Sequence, residues 1–294
     1  MNSWTHCRPE PQSCAPIGPL TTWGIGGAAQ WYAEPRDIID LAMLLRDARE
    51  QRVPVRILGG GSNLLIADGT VGGLVIRLRG AFEEIRAESA NARLRCGAGC
   101  LLAKALELAE EEGLTGLEHF AGIPGTVGGA VCVNAGAQGH AVGGHVRAVE
   151  VMDFDGRTAR LEKSDLSFVY RRSNLDGRII TAVELQLEHD FPDPVRDRRR
   201  AILRERKASQ PWGTRSAGCV FKNPQGDSAG RLIDVTGCKG WREGGIVVSP
   251  KHANFLINED GGTFVDCMRL IGRVQDAVYA AHGIRLELEV RIWQ

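Results

Sequence analysis

Residues 117–136 read L-E-H-F-A-G-I-P-G-T-V-G-G-A-V-C-V-N-A-G. Five glycines and a proline exclude an ordinary helix or strand here, because each glycine raises the entropic cost of ordering the backbone. Glycine has no Cβ, so its N–H can approach a phosphate closely. A shorter run, G-G-G-S-N at 59–63, follows a predicted buried strand at 55–58. Two such loops indicate a cofactor that carries a diphosphate, with two tight turns as the alternative.

Length and charge limit the classes of protein to which this chain can belong. Its 294 residues are 43% hydrophobic, which is enough for two domains with cores of their own. The 36 basic and 36 acidic side chains cancel, so no net charge favours nucleic acid or an anionic membrane. The first residues lack the apolar segment of a signal peptide, and no run of about 18 apolar residues occurs. We therefore expect a soluble, cytoplasmic protein that does not bind nucleic acid or membrane.

The eight cysteines do not form a metal-binding pattern. No two of them make a C-x-x-C pair and no histidine stands at zinc-finger spacing, so we expect no metal site. In a reducing compartment most of them are expected to serve as small buried hydrophobic residues.

Hydrophobic periodicity predicts helices mixed with strands and hairpins, which is typical of an α+β fold rather than a doubly wound one. The predicted helices are 35–51, 101–112, 195–209, 229–235 and 264–281. The predicted strands are 28–32, 55–58, 74–78, 92–96, 145–154, 157–162, 179–189, 246–249, 253–257 and 284–292, with a further short strand in 216–224. Asp155-Gly156 is a signal for a two-residue hairpin turn. The G-x-G run at 24–26 has no strand before it, and the run at 97–99 lacks the third glycine of the fingerprint. Neither run therefore predicts a Rossmann domain.

The sequence F-P-D-P at 191–194 is the clearest linker signal in the chain, because two prolines stand within three residues. We expect a loose lead-in at 1–21, a first domain at 22–190 and a second domain at 191–294. The basic stretch at 196–200 is interpreted as a solvated helix face.

Several motifs, in one order along nearly the whole chain, resemble the UDP-N-acetylenolpyruvoylglucosamine reductase family. They are T-T-W-G-I-G-G (21–27), G-G-G-S-N-L-L (59–65), the glycine-rich stretch with its flanks (116–137), Y-R-R-S (170–173), S-A-G-C-V-F-K-N-P (216–224), A-G-R-L-I-D (229–234), K-H-A-N-F (251–255) and L-E-V-R-I (288–292). The resemblance implies an FAD-binding domain of the vanillyl-alcohol-oxidase (PCMH) type, followed by a smaller α/β substrate-binding domain. Nothing is inserted between Tyr170 and the linker, as in the shorter form of the family without the extra tyrosine loop.

The resemblance also implies which residues bind the ligands. Noncovalent FAD would lie on the two glycine loops, with NADPH as co-substrate. The implied FAD-binding residues are Gly59, Gly60, Gly61, Ser62, Asn63, Gly122, Ile123, Pro124, Gly125, Thr126, Gly128, Gly129 and Asn134. The implied substrate-binding residues are Tyr170, Lys207, Lys222 and Asn223. A lysine suits a diphosphate as a point charge.

The implied reaction reduces UDP-N-acetylglucosamine enolpyruvate to UDP-N-acetylmuramate in peptidoglycan synthesis. NADPH would reduce FAD, and the substrate would then receive a hydride from flavin N5. Arg171 and Glu289 would lie at the substrate carboxylate, where charge develops. The proton donor of the family is commonly a serine, and Cys219 stands at that position here. A thiol, with an ordinary pKa of about 8.5, is a better acid than a hydroxyl. We favour Cys219 as the donor, with Ser216 as the alternative.

Two other functions are compatible with the glycine loops. One is an FAD-dependent oxidase of the same fold acting on a small alcohol, in which His119 or Cys132 could tether the flavin. The other is a flavin- or nucleotide-binding regulator without activity, which the presence of both Arg171 and Glu289 disfavours. For the reductase we expect a monomer with small-molecule partners only.

Overall fold

The computed structural model describes Trp4, Cys7 and residues 9–294. Residues 9–294 contain six α-helices, which are α1 (Ile38–Glu50), α2 (Leu102–Glu111), α3 (Val127–Cys132), α4 (Pro192–Ser209), α5 (Ala229–Val235) and α6 (Phe264–His282). The strands are β1 (Gln12–Pro16), β2 (Ala28–Ala33), β3 (Val55–Ile57), β4 (Leu64–Ile66), β5 (Thr70–Ile76), β6 (Ile85–Glu88), β7 (Arg93–Gly97), β8 (Leu114–Thr115), β9 (Gly136–Ala137), β10 (His140–Ala141), β11 (Val146–Met152), β12 (Thr158–Glu162), β13 (Phe168–Val169), β14 (Arg172–Ser173), β15 (Ile179–Gln186), β16 (Glu188–His189), β17 (Arg242–Glu243), β18 (Ile246–Val248), β19 (Leu256–Asn258) and β20 (Arg291–Trp293).

The chain forms two compact units, each assembled from three separate segments. Unit 1 consists of residues 1–13, 31–60 and 73–205, and unit 2 of residues 14–30, 61–72 and 206–294. The domain boundary at 190/191, which the linker signal suggested, stays a prediction.

Unit 1 is built on a five-stranded antiparallel sheet of order β12-β11-β15-β7-β6. Its core strand β15 is rich in β-branched residues and almost wholly buried, as expected for the middle of a sheet. The small residues of α2 and α3, such as Ala105 and Val131, belong to the same core as Val149 and Val183 of the sheet. Strands β3 and β5 pair in parallel, with Val55 opposite Leu74.

Unit 2 combines the antiparallel sheet β17-β18-β19 with helices α5 and α6. Strand β4 pairs in parallel with β20, with Leu65 opposite Ile292. The core holds Trp23 and Leu65 from the two N-terminal segments together with Val274 of α6, and all three are fully buried. The core of this unit is therefore shared by distant parts of the sequence.

Most predicted elements are confirmed by the structure. Helix α1 begins at Ile38 because the Asp37 carboxylate caps it, accepting the N–H groups of residues 39 and 40. Helix α5 has the predicted bounds. The hairpin of β11 and β12 also forms, although its loop covers residues 153–157 and Gly156 adopts φ +83°. The loop is longer than expected because the Asp153 carboxylate accepts the N–H groups of both Asp155 and Arg157.

Four expectations were wrong. The stretch 117–136, in which no ordinary helix was expected, contains the short helix α3, whose first turn is capped by the Thr126 hydroxyl. The lead-in contains strand β1, which its prolines and lack of alternation concealed. The short strand expected in 216–224 is reduced to isolated bridges at Cys219 and Phe221. The long terminal strand is paired as a strand only over β20, although Leu286 and Val290 are buried as its alternation predicted. The alternation of apolar residues predicts which face of a segment is buried. It does not predict over how many residues the backbone pairs with another strand.

Candidate active site

The two glycine loops meet directly inside unit 1. Strand β3 leads towards Gly59 and Gly60, and a Cβ on Gly60 would lie 2.5 Å from the Cα of Gly125. A Cβ on Gly59 would lie 3.0 Å from the hydroxyl oxygen of Thr126. Gly125 itself has φ +118°, a conformation that residues with a side chain rarely adopt. The close approach of two backbones therefore requires glycine at position 60, and the backbone conformation favours it at position 125.

The second loop continues into helix α3. Thr126 caps the helix, since its hydroxyl accepts the N–H of Gly129 at 3.2 Å. Gly128 serves packing, because a Cβ there would lie 2.6 Å from the Cβ of Ala98, and its N–H donates to the Ala98 carbonyl at 2.9 Å. A Cβ on Gly129 would meet only the Thr126 hydroxyl within 4 Å. The two consecutive glycines thus have different physical roles.

The loops leave backbone donors available for a ligand. Within residues 9–294, no acceptor is in hydrogen-bonding position for the N–H groups of Gly59, Gly60, Gly125 and Thr126. Thr126 is only 7% exposed, and a buried N–H without a partner is unfavourable. Such N–H groups on adjacent loops are a common way to bind phosphate oxygens. The residues therefore fit the diphosphate of FAD. The second loop also includes Gly122-Ile123-Pro124, in which Gly122 has φ +80°.

Arg171 lies at the turn of a short hairpin in unit 1. Strands β13 and β14 are joined by Tyr170 and Arg171, and Arg171 has φ +56°. One Nη atom of Arg171 donates to the Gly136 carbonyl at 3.0 Å. The guanidinium also lies 5.2 Å from the centre of the Tyr170 ring, which is 54% exposed. Asn134, an implied FAD-binding residue, is buried beside this hairpin and donates its amide N–H to the Val169 carbonyl at 2.9 Å.

Cys219 lies on an irregular segment of unit 2 that Asn254 holds in place. Cys219 itself bridges to Phe255. The Asn254 side chain accepts the Phe221 N–H at 2.9 Å and donates to the Phe221 carbonyl at 2.8 Å. The Asn254 carbonyl accepts the Val220 N–H at 2.9 Å. The motif K-H-A-N-F did not predict a role for Asn254. The available signal was a polar side chain inside the predicted strand 253–257.

Glu289 lies on the segment next to Cys219. Its N–H donates to the carbonyl of Val220 at 2.8 Å, so hydrogen-bonded backbones carry the two residues. Cys219, Glu289 and the alternative donor Ser216 are all partly buried. Asn63, an implied FAD-binding residue, belongs to unit 2 with Gly61 and Ser62 and donates its amide to the Glu289 carbonyl at 3.1 Å.

The implied nucleotide-binding residues of unit 2 lie on two elements, with Lys207 on helix α4 and Lys222 next to Asn223 on the segment that follows Cys219. The Lys222 ammonium is 3.3 Å from the exposed carboxylate of Glu287. The Asn223 side chain accepts the Ala229 N–H at 3.0 Å, at the start of α5. The Lys207 ammonium lies 5.2 Å from the centre of the Trp212 ring. Their binding role stays a prediction.

The histidine suggested as a flavin tether is engaged with other side chains. His119 stacks on His140 with ring centres 3.5 Å apart. Burial lowers the pKa of His119 and of His145 below the usual value, and the neighbouring His140 lowers both further. The carbonyl of the other candidate, Cys132, accepts the hydroxyl of Ser173 at 2.8 Å.

Over the part of the chain that the structure describes, no three or more His, Cys, Asp or Glu side chains are grouped to hold a metal ion. None of the helices in residues 9–294 has the length and apolar character needed to cross a membrane.

The loops and the domain matches together define a class of protein. Residues 29–162 match the family model of the FAD binding domain. Residues 210–293 match that of the UDP-N-acetylenolpyruvoylglucosamine reductase C-terminal domain. The chain is thus an FAD-dependent oxidoreductase. The UDP-N-acetylenolpyruvoylglucosamine reductase of Moorella thermoacetica is 46% identical over 95% of this chain and 91% of its own length. The one from Heliobacterium modesticaldum is 42% identical over 94% of this chain and 88% of its own.

The chain belongs to the UDP-N-acetylenolpyruvoylglucosamine reductase family. The crystal structure of the enzyme from Thermus caldophilus is 37% identical, with a TM-score of 0.84, over 97% of this chain and 99% of that one. The predicted fold class and the FAD cofactor are confirmed.

Proposed function

We propose that this protein reduces UDP-N-acetylglucosamine enolpyruvate to UDP-N-acetylmuramate with NADPH, as a step of peptidoglycan synthesis in the cytoplasm. Family membership supports the substrate class. The observation that supports the assignment of residues is the hydrogen bond from the Glu289 N–H to the Val220 carbonyl, which makes the segments of Cys219 and Glu289 neighbours in the reductase-type domain.

The chemistry requires one charge to be stabilised and one proton to be delivered. FAD, when bound, supplies hydride transfer between two substrates that react in turn. The carbon–carbon double bond of the enolpyruvyl group takes up one hydride at its terminal carbon and one proton at the next. Negative charge develops on that second carbon and its carboxylate. Arg171 stabilises it with a cation that does not lose its proton, and Glu289 assists as a neutral acid or through a bridging proton.

Cys219 delivers the proton. The thiol donates to the carbon that carries the developing charge, becomes a thiolate, and regains a proton from solvent, so the residue is unchanged after each turnover. The backbone on both sides contributes by holding the sulfur in place: Gly218 adopts φ +74° before it, and Asn254 fixes the two residues after it.

The nucleotide part of the substrate is assigned to exposed polar groups. Lys222, Asn223 and Lys207 of unit 2 are proposed to bind the UDP diphosphate, and Tyr170 of unit 1 to contact the substrate beside Arg171. Exposed ammonium groups suit a diphosphate because they are compact charges with three donors each. We propose that the protein works as a monomer.

The test is anaerobic stopped-flow spectroscopy of the purified yellow protein. NADPH should bleach the flavin, with NADH as a comparison, and UDP-N-acetylglucosamine enolpyruvate should then restore the colour. Mass spectrometry should detect UDP-N-acetylmuramate. UDP-N-acetylglucosamine, which lacks the enolpyruvyl group, is the control and should leave the flavin bleached. A flavin that stays bleached with the enolpyruvyl substrate would contradict the proposal.

A further inference from the structure

We infer that Asn134 is a positioning residue: its carboxamide holds the hairpin that carries Arg171. The inference rests on the proposed function, because it presumes that Arg171 stabilises the developing charge. It gives Asn134 a different role from direct FAD binding, which the family resemblance implied.

The geometry of Asn134 is specific to an asparagine. It follows helix α3 with φ +45°, a left-handed conformation that asparagine tolerates better than most residues. Its Nδ2 donates to the Val169 carbonyl at 2.9 Å, and its Oδ1 accepts the Gly143 N–H at 3.0 Å. The residue is 6% exposed. One buried amide therefore joins the hairpin strand β13 to the segment before β11.

Two further hydrogen bonds link the hairpin to the segment that carries Asn134. The Ser173 hydroxyl of β14 donates to the Cys132 carbonyl at 2.8 Å, and the Arg171 guanidinium donates to the Gly136 carbonyl at 3.0 Å. Residues 132–136, which begin with the last residue of α3, thus contact both strands of the hairpin and the side chain at its turn. Asn134 lies in the middle of this segment.

The hairpin needs this support because its own turn is exposed. Val169 and Tyr170 are 58% and 54% exposed, so little hydrophobic burial fixes the turn. Arg171 holds a left-handed backbone conformation, which is unfavourable for a residue with a side chain. Loss of the bond to the Val169 carbonyl should therefore shift Arg171 without unfolding the unit.

The test compares two asparagine-to-aspartate variants, one in the residue that supports the hairpin and one in the residue that directly follows it. Asn134→Asp keeps the acceptor for Gly143 and removes the donor to Val169. Asn174→Asp is the matched control: Asn174 is exposed, accepts the Ser167 N–H at 2.9 Å and donates to the Asp165 carbonyl at 2.9 Å, away from the turn. We expect Asn134→Asp to slow flavin reoxidation by the enolpyruvyl substrate about tenfold to a hundredfold, because small misplacements of a positioned group have effects of that order. In Asn134→Asp, the rate of reduction by NADPH and the retention of FAD should be unchanged. In Asn174→Asp, reoxidation, reduction by NADPH and FAD retention should all be unchanged.

A double-mutant cycle with Arg171→Ala separates positioning from general structure. If Asn134 acts through Arg171, Asn134→Asp should add no further slowing once the guanidinium is gone. Equal slowing in both backgrounds would overturn the inference. If Arg171→Ala alone leaves reoxidation unchanged, the proposed role of Arg171 fails instead, so the two failures are distinguishable.

Hydrogen exchange gives a readout that does not depend on activity. Amides of residues 168–173 should exchange faster in Asn134→Asp than in Asn174→Asp, and unchanged exchange would contradict the inference. Asn134→Gly keeps the backbone conformation and adds no charge, and its amides at residues 168–173 should also exchange faster. This variant replaces Asn134→Asp in the experiment if the aspartate variant does not fold. A loss of FAD by Asn134→Gly with both half-reactions slowed would indicate that Asn134 binds the cofactor directly.

Discussion

Arg171 and Glu289 are proposed to act only when charge develops on the substrate, so their removal should affect one half-reaction. Arg171→Ala and Glu289→Ala are expected to reduce the rate of flavin reoxidation by roughly a hundredfold to a thousandfold, about 2.7–4 kcal/mol in barrier. Bleaching by NADPH should be nearly unchanged, because no such charge forms in that step. Stopped-flow absorbance measures the two phases separately.

A neighbouring arginine provides the control for this prediction. Arg172 is exposed and its guanidinium lies 3.7 Å from the Asp176 carboxylate, an arrangement that contributes little in water. Arg172→Ala should leave both phases unchanged. Equal slowing of both phases in Arg171→Ala would mean that this residue serves NADPH binding or the fold.

The proton donor is decided by a pair of alanine variants. Cys219→Ala should leave bleaching by NADPH intact and slow reoxidation, because the substrate carbon then lacks a nearby acid. Cys219→Ser should restore much of the rate, since a hydroxyl can also give a proton. Ser216→Ala should be nearly silent. A silent Cys219→Ala beside an inactive Ser216→Ala would reverse the assignment.

The sequence predicted the structural roles of the glycines better than those of the asparagines. Gly60 and Gly125 could be read from composition, because such runs indicated a backbone that another group approaches closely, with tight turns as the alternative. The role of Asn254 could not, since its partner Phe221 lies 33 residues away in sequence. The polar side chain inside a predicted strand marked Asn254, but nothing near it in the sequence identifies the distant backbone to which it hydrogen-bonds. The assignments of Cys219, Arg171 and Glu289 themselves stay predictions.

At the scale of the structural elements, the contact between the two loops gives a direct test of the FAD site. Gly60→Ala would place a methyl group 2.5 Å from the Cα of Gly125, so the loops must separate. We expect the purified variant to lose its yellow colour while its apoprotein stays folded by circular dichroism. Gly144→Ala is the control, because a Cβ there has no neighbour within 4 Å and the variant should retain FAD. Full FAD retention by Gly60→Ala would contradict the site.

The turn at Glu118 connects the central motif to helix α4. Its carboxylate is 5% exposed and accepts the Gly116 N–H at 2.7 Å, the Thr115 hydroxyl at 2.7 Å and the Arg198 guanidinium at 2.9 Å. Burial alone would raise the pKa of Glu118, but the backbone, Thr115 and Arg198 hydrogen bonds outweigh it and lower the pKa. The carboxylate form is therefore favoured by folding.

This lowered pKa predicts how stability depends on pH. A carboxyl group with a lower pKa in the folded than in the unfolded protein stabilises the fold above the unfolded pKa, here near 4.5, and loses that contribution as pH falls through the folded pKa. Glu118→Gln should cost about 1.5–3 kcal/mol of unfolding free energy at pH 7. Its stability should also fall less steeply than that of the wild type below about pH 4.5. Urea unfolding across pH measures both.

An exposed glutamate provides the comparison. Glu112 accepts the Ser89 hydroxyl at 2.6 Å on the surface, so Glu112→Gln should change stability little at any pH. A Glu118→Gln variant as stable as Glu112→Gln at pH 7 would mean that the buried hydrogen bonds do not contribute as described.

Local signals predicted helices more accurately than strand lengths. Helices α1 and α6 were found from their apolar periodicity. Their capping residues Asp37 and Thr263 were not used, and α1 was predicted from residue 35, three residues before it begins. Strand β20 was overestimated because alternation continues through residues 284–290, whereas regular pairing requires a partner strand, and β4 covers only Leu64–Ile66. The length of a strand is set by its neighbour, which a single segment does not reveal.

At the scale of the whole molecule, the segmented units were not predictable from the sequence. The linker signal at 191–194 suggested two consecutive domains, but unit 2 includes residues 14–30 and 61–72. The Trp23 indole donates to the Leu256 carbonyl at 2.8 Å, and the Asn258 amide donates to the Trp23 carbonyl at 3.0 Å. Contacts across more than 230 residues decide this arrangement, and they leave no periodic trace in the sequence.

Because unit 2 contains segments from the N-terminal part of the chain, the structure predicts the effect of cleaving the chain after residue 190. A protease site placed between residues 190 and 191 should be cut without separating the pieces, because Trp23 and Leu65 from the first piece are fully buried in the core of unit 2. Loss of one such large side chain typically costs about 3–5 kcal/mol, against a total stability of about 5–15 kcal/mol. Expressed alone, residues 191–294 should therefore lack cooperative urea unfolding, whereas the cut chain should elute as one species in gel filtration and unfold cooperatively. An isolated 191–294 fragment that unfolds cooperatively would show that the two N-terminal segments are dispensable for this core.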